Sequence, residues 1–242
     1  MEPTKSCEVT TMNDDLDLTL YADAAELVEI ATAEAMEHIA SNLLDKGTCH
    51  IALTGGTLGG QFAHRLVERI NTATDLTGLH IWFSDERFDV AESPARNSRP
   101  VRDGLKNASV TVHEVNSRDD GSTVHAAAIS YDNELRDVTM DICVLGLGPD
   151  GHVASLFPNH WNQNATGKAI AIVDSPKPPA ERVSFTMPFI NSSQQVWIIA
   201  AGEAKAIAVT QVLEADQAVP AGHVMAAELT RLIADTEAFF TE

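Results

Sequence analysis

The chain has 242 residues, enough for one large α/β domain, and its 44% hydrophobic and 21% charged content is that of a globular protein. Its formal net charge of −19, with 16 Lys and Arg against 35 Asp and Glu, excludes a nucleic-acid binder, which needs a basic stripe. No apolar run approaches the roughly 20 residues of a membrane helix, and Cys7, Cys49 and Cys143 cannot all pair and match no zinc spacing, so no membrane, no metal and a reducing, cytoplasmic setting are expected.

Residues 1–15, MEPTKSCEVTTMNDD, are polar, with no apolar core and no cleavage-site pattern; they read as a flexible segment ahead of a single domain over 16–242. A first strand is expected over 17–21. Asp23 followed by Glu26 looks like a capping box, and the helix it opens carries an apolar stripe through Leu27, Ile30, Ala31 and Ile39 until Gly47 stops it. A second strand, over 49–53, runs into TGGTLGG at 54–60 and a helix over 61–70. Strand, glycine turn and helix together point backbone N–H groups and the positive helix end at a phosphate. The pattern is neither a dinucleotide fingerprint nor a P-loop, and a tight turn without a ligand is the alternative.

A third strand, over 79–84, ends in Asp85-Glu86-Arg87, either a solvated loop or the edge of a site; a solvated loop is the first expectation. A helix over 97–105, a strand over 110–115 and a helix over 123–137 lead to an apolar strand over 141–145. Gly146, Gly148, Pro149 and Gly151 then break regular structure around Asp150 and His152, with Ser155 three residues on. Ligands of open α/β sheets bind beyond the carboxyl ends of strands, where this loop would lie. The alternative for His152 is a histidine that merely caps a turn.

Further strands are expected over 169–173, 183–187 and 195–201, the first two joined by a proline-stiffened loop that carries Lys177 and Arg182. Gly202 and Lys205 then open a helix to 213. The stretch 224–240 reads either as one helix or as a strand over 229–234 followed by a helix from 235. About seven strands alternating with helices, without repeat or long linker, predict a single-domain α/β fold with a doubly wound, mostly parallel sheet.

Six motifs follow in a fixed order: LTGGTLGG at 53–60, SDERF at 84–88, RNS at 96–98, GLGPDGHVASLFP at 146–158, the PKPPAERVSFT segment ending at Thr186, and GEAKA at 202–206. In that order the chain resembles the 6-phosphogluconolactonases from end to end; GxDGHxASLFP is the most specific motif and DER the next. The resemblance implies the Rossmann-like sugar-phosphate fold shared with glucosamine-6-phosphate deaminases and ribose-5-phosphate isomerases. It implies hydrolysis of 6-phospho-D-glucono-1,5-lactone to 6-phosphogluconate, the second step of the oxidative pentose phosphate pathway, with no metal or nucleotide cofactor. The expected partner is the small-molecule lactone alone, and the expected state a monomer or weak homodimer.

The residues suit that chemistry. Lactone hydrolysis needs an activated water, a group to hold the oxyanion and a proton for the leaving ring oxygen. His152 is the expected general base, since an ordinary imidazole pKa of about 6.5 suits neutral operation. Asp150 either orients the imidazole or binds a sugar hydroxyl, and Arg87 is expected at the carbonyl oxygen. The phosphate is expected against Gly55, Gly56 and Thr57, with Arg182 and Lys205 as its cations. Asp85, Asn97 and Ser155 are expected as polar contacts of the substrate. Two departures stand out: Leu58-Gly59 replaces the family's Thr-Pro, and Ala95-Arg96-Asn97 replaces Asp-Ser-Asn. The other eight histidines are read as surface or core residues. Rival readings are an amino-sugar-phosphate deaminase or isomerase, which needs a second acidic motif, and a non-catalytic sugar-phosphate sensor, which has no need of His152 and Arg87.

Overall fold

The computed structural model describes residues 16–239. β1 (Leu16–Tyr21) leads into α1 (Ala24–Lys46). The Asp23 carboxylate accepts the Glu26 N–H at 2.8 Å and Gly47 ends the helix at φ 73°, so the expected cap and stop operate, but Glu26 accepts the Ala22 N–H at 2.7 Å where a capping box would take that of Asp23. There follow β2 (Cys49–Leu53), α2 (Gly56–Thr72), β3 (Leu79–Phe83), β4 (Asp85–Arg87), α3 (Ser98–Gly104), β5 (Thr111–Val112), α4 (Val124–Glu134) and β6 (Ile142–Gly146). The second half adds β7 (Ala169–Ile172), β8 (Arg182–Phe185), α5 (Met187–Asn191), β9 (Gln195–Ala200), α6 (Ala206–Leu213), β10 (Leu229–Asp235) and α7 (Thr236–Phe239).

Seven strands form one sheet in the order β1-β10-β9-β6-β2-β3-β5, and every ladder in it is parallel. From β2 the chain steps outward through β3 to β5; from β6 it steps the other way through β9 to β10. The direction reverses between β2 and β6, and such a reversal opens a crevice at the carboxyl ends of the strands. Side chains alternate across the sheet. Ile51 and Leu53 join Leu27 of α1 and Phe62 of α2 in one buried cluster, whereas Ala52, Val196 and Ile198 join Tyr131 of α4 and Val209 of α6 in the other. Helices on both faces make the sheet doubly wound, as expected. The C-terminal ambiguity resolves to the strand: Leu232, Ile233 and Ala234 are fully buried beside β9, a burial on both faces that one amphipathic helix would not give.

A second sheet, β4-β8-β7, is antiparallel and was not expected. The sequence reading put 169–173 and 183–187 into the parallel count and favoured a solvated loop for 85–87. A three-residue charged strand has no period to read, and its pairing with β8, Asp85 opposite Ser184 and Arg87 opposite Arg182, is set by distant chain. Ser84 joins the two sheets: its N–H donates to Leu53 and its carbonyl accepts from Phe185, both at 2.8 Å. Cys49 and Cys143 are buried and free, and Cys7 lies outside the described residues.

Three of the histidines form a ladder across β2, β3 and the end of β5. The His50 and His80 rings stack 4.6 Å apart, His80 Nδ1 lies 2.9 Å from His113 Nε2, and His113 Nδ1 meets the Glu134 carboxylate. Trp82 donates its Nε1–H to His50 Nδ1 at 3.0 Å and stacks on His113 at 3.6 Å. Burial, with His80 alongside, pushes the His50 pKa down to about 4.

Candidate active site

The glycine turn after β2 is itself the start of the helix: α2 begins at Gly56, not at residue 61. Its N-cap, Gly55, has no side chain to satisfy the first N–H groups, and no acidic residue lies in the first turn, so the positive end of a 17-residue helix is open to an anion. Gly55 is also required by packing. A Cβ there would sit 2.0 Å from Asn97 Oδ1 and 2.7 Å from Arg87 Nη1.

After β6 the second glycine turn presents His152. Its Nδ1 lies 2.5 Å from Asp150 Oδ1. The carboxylate accepts, so the geometry assigns the proton to Nδ1 and leaves Nε2 with its lone pair; Nε2 has no hydrogen-bond partner among the described residues. The imidazole packs on Phe157 with centroids 4.5 Å apart. Burial pushes the imidazole below its ordinary pKa against the opposing pull of Asp150. Burial works to raise the Asp150 carboxyl, but the bond from His152 and the charge of Lys177 hold it below its usual value. Asp150 therefore sits where it orients the ring. Gly148 makes room for the pair: a Cβ there would lie 1.9 Å from His152 Nδ1 and 2.5 Å from Asp150 Oδ1.

The three charges of β4 are held by buried partners, not by solvent. Asp85 accepts from Ser155 Oγ at 2.7 Å and from Asn97 Nδ2 at 3.2 Å, with Arg182 Nη1 3.7 Å away. Glu86 is fully buried; one oxygen accepts the N–H groups of Arg87 and Asn97, each at 2.7 Å, and the other accepts Ser98 N–H at 2.8 Å. Burial raises its pKa, against Arg96, whose Nε lies 3.8 Å away. Arg87 Nη1 donates to the Ala95 carbonyl at 3.2 Å and to Asn97 Oδ1, which fixes the guanidinium beside Gly55. The sequence reading gave Glu86 no role, although it anchors the RNS segment; its place in the DER motif was the available signal.

These elements enclose a cavity of about 330 Å³ at the carboxyl ends of the strands. His152, Asp85, Gly55 and Gly56 line it, with four cations: Arg87, Lys177, Arg182 and Lys205. In a chain of net charge −19 this is a local inversion of the mean field. The cations differ in freedom. Arg182 is 4% exposed and donates to the carbonyls of Lys177 at 2.9 Å, Pro178 at 3.2 Å and Pro179 at 3.2 Å. Lys205 donates to the Leu147 carbonyl at 2.7 Å, and burial, with Lys177 nearby, lowers its pKa. Thr57 lies on an adjoining cavity of about 420 Å³ that shares Gly55, Gly56 and Lys205. Asn97 and Ser155 are buried behind the wall, where they hold Asp85 and Arg87 rather than face the cavity. Lys177, absent from the expected site, stands 3.3 Å from His152 Nδ1.

The site can thus present a neutral imidazole acceptor beside fixed positive charge. Among the described residues, no group of three or more His, Cys, Asp or Glu is placed to hold a metal, and no helix is long and apolar enough to cross a membrane. The model of the family of glucosamine-6-phosphate isomerases/6-phosphogluconolactonase matches residues 22–233. A 6-phosphogluconolactonase of Streptomyces coelicolor is 35% identical over 84% of this chain and 84% of its own, and one of Mycobacterium tuberculosis is 30% identical over 91% and 96%. Among solved structures, 6-phosphogluconolactonase from Thermotoga maritima superposes with a TM-score of 0.80 at 25% identity, covering 91% of this chain and all of that one. The Trypanosoma cruzi 6-phosphogluconolactonase shares the fold, with a TM-score of 0.81 at 22% identity over 95% and 98% of the two chains. With the motifs, the fold and these relatives in agreement, the chain belongs to the glucosamine-6-phosphate isomerase/6-phosphogluconolactonase family.

Proposed function

We propose that this protein hydrolyses 6-phospho-D-glucono-1,5-lactone to 6-phosphogluconate, the second step of the oxidative pentose phosphate pathway. The observation that carries the reading is His152, tied through Nδ1 to Asp150 and lining a cavity with four cations, in a chain whose relatives at 30–35% identity are 6-phosphogluconolactonases. His152 Nε2 takes a proton from water as the water oxygen attacks the lactone carbonyl. Arg87, held by Asn97 and Ala95, stabilises the negative oxygen that develops. The tetrahedral intermediate then expels the ring oxygen, which takes the proton from the imidazolium, and the product carboxylate leaves with a free 5-hydroxyl. The phosphate is assigned to the open end of α2 and to Lys205. Arg182, whose Nε and Nη2 donate to carbonyls and whose Nη1 faces Ser155 and Asp85, shapes the wall instead. The reading places the enzyme in the cytoplasm, in keeping with the free thiols of Cys49 and Cys143.

The test is lactone generated in situ from glucose 6-phosphate by its dehydrogenase, with hydrolysis followed above the spontaneous rate. His152→Ala should lose about 10²-fold or more of the enzymatic rate while still binding 6-phosphogluconate. Near-wild-type turnover in the variant would remove His152 as the base. The fold is shared with a monomeric glucosamine-6-phosphate deaminase, at a TM-score of 0.73 and 18% identity. A deaminase needs a free carboxylate as base, but Asp85 on the cavity wall is taken by Ser155 and Asn97. Ammonia release from glucosamine 6-phosphate would reverse this choice.

A further inference from the structure

Lys177 is the cation on the cavity wall that the roles above leave unused. Its backbone is clamped: the carbonyl accepts from Arg182 Nη2 at 2.9 Å and Ser175 Oγ at 2.8 Å, and the N–H donates to Ser175 Oγ at 3.3 Å. Its ammonium makes no bond to a carbonyl, unlike Lys205 and Arg182. It stands 3.3 Å from His152 Nδ1, 3.5 Å from Asp150 Oδ1 and 5.8 Å above the Phe157 ring on which His152 also packs. Arg182 and Ser175 thus hold a loop whose working end is a positive charge beside the imidazole.

That placement answers a difficulty in the chemistry. A carboxylate 2.5 Å from Nδ1 favours the imidazolium, and an imidazolium cannot accept a proton from water. We propose that Lys177 is a positioning residue for His152: its ammonium shares the Asp150 carboxylate and disfavours a second positive charge on the ring, so the imidazole stays a neutral acceptor. The other charged groups around the ring do not duplicate this. Asp85 of β4 pulls the opposite way, Arg182 of β8 is paired with Asp85, Lys205 at the start of α6 is held by Leu147, and Arg87 is held by Asn97. The direction found for His152, lowered by burial first and by Lys177 against Asp150, agrees with the geometry.

The inference rests on the lactonase reading, and the experiment separates the two. Full-length wild type, Lys177→Met, Lys177→Gln and Lys177→Arg are compared for kcat/KM against pH, and the His152 ring proton is titrated by NMR, assigned through His152→Gln. In the Met and Gln variants the acid limb should move to higher pH, with a severalfold loss of rate at pH 6 relative to each variant's own alkaline plateau; Arg should restore the limb. The NMR titration should move the same way. A limb and a titration that stay in place overturn the proposal. So does a rise in KM alone, which would make Lys177 a substrate-binding cation, and so does failure of both uncharged variants to fold, which would make its role structural. If wild type fails to hydrolyse the lactone, the functional reading falls, and the NMR titration still decides the role of Lys177.

Discussion

Gly148→Ala tests the site more cleanly than removal of a catalytic group. Gly148 is not among the positive-φ glycines, so its backbone accepts alanine without strain. Its new Cβ would lie 1.9 Å from His152 Nδ1, and ordinary van der Waals contact begins near 3.4 Å. The imidazole must therefore retreat by about 1.5 Å, since the obstacle is fixed to the chain that carries the ring. Misplacement of a reacting group by about 1 Å costs roughly 10²-fold in rate. We expect kcat/KM for the lactone to fall by about 10²–10³-fold, or about 3–4 kcal/mol of transition-state stabilisation. The assay is the coupled lactone hydrolysis, paired with a thermal melt in which Tm changes by no more than a few degrees. Gly60→Ala is the control: in α2 a Cβ at that position meets nothing within 4 Å, and exchange of a helical glycine for alanine should stabilise by about 1 kcal/mol. If Gly148→Ala keeps a third or more of wild-type kcat/KM, the Asp150–His152 contact is not part of the reaction and the mechanism above is wrong.

Two further outcomes follow from particular contacts. Arg182→Ala leaves the Pro178 and Pro179 carbonyls without their donor and the Lys177 carbonyl with Ser175 Oγ alone, so kcat should drop by about tenfold, the equivalent of one charge-assisted hydrogen bond, together with a rise in KM; steady-state kinetics showing a change in KM alone would return Arg182 to the phosphate. Acid should loosen the histidine ladder. His50 has a folded pKa depressed to about 4 against about 6.5 unfolded, so the unfolded chain binds more protons between these values, and the contribution is present above pH 6.5 and lost as pH falls toward 4. Urea melts at pH 7 and pH 4.5 should differ by about 2 kcal/mol from this residue after allowance for solvent screening, and His50→Gln should flatten the slope; an unchanged slope would clear the ladder.

Much of this site was legible because its chemistry is local in sequence. Asp150 and His152 are two residues apart in one glycine turn, and Gly55 opens the helix that follows its own strand. What could not be read depends on distant chain. Whether Asp85-Glu86-Arg87 meets water or a partner strand is decided by Ser184 and Arg182. A sequence shows that Arg182 is a cation but not that three carbonyls, Ser155 and Asp85 surround its guanidinium, nor that Lys177 is the charge beside His152. Ser155 and Asn97 look like ligand contacts because they are polar and near glycines. Their burial behind Asp85 is a tertiary fact. The start of α2 at Gly56 ran against helix propensity, because glycines in a first turn are weak helix formers, and burial of Phe62, Leu66 and Ile70 farther along the helix in a cluster with α1 and the sheet overrides it.

The small antiparallel sheet has a consequence for how the enzyme comes into being. β4 and β8 pair across about 100 residues of intervening chain, far more than the distance spanned by any hairpin, and the loop-closure entropy of that pairing must be met before its contacts return anything. The parallel half from β2 to β3 rests on nearer neighbours and can be native-like while Asp85 and Arg87 are still unplaced. Completion of the site is therefore expected to wait on a long-range step in folding. A nascent or truncated chain ending before Arg182 has the open helix end at Gly55, yet lacks the strand that pairs with Asp85–Arg87 and the guanidinium that holds the Lys177 and Pro178 carbonyls.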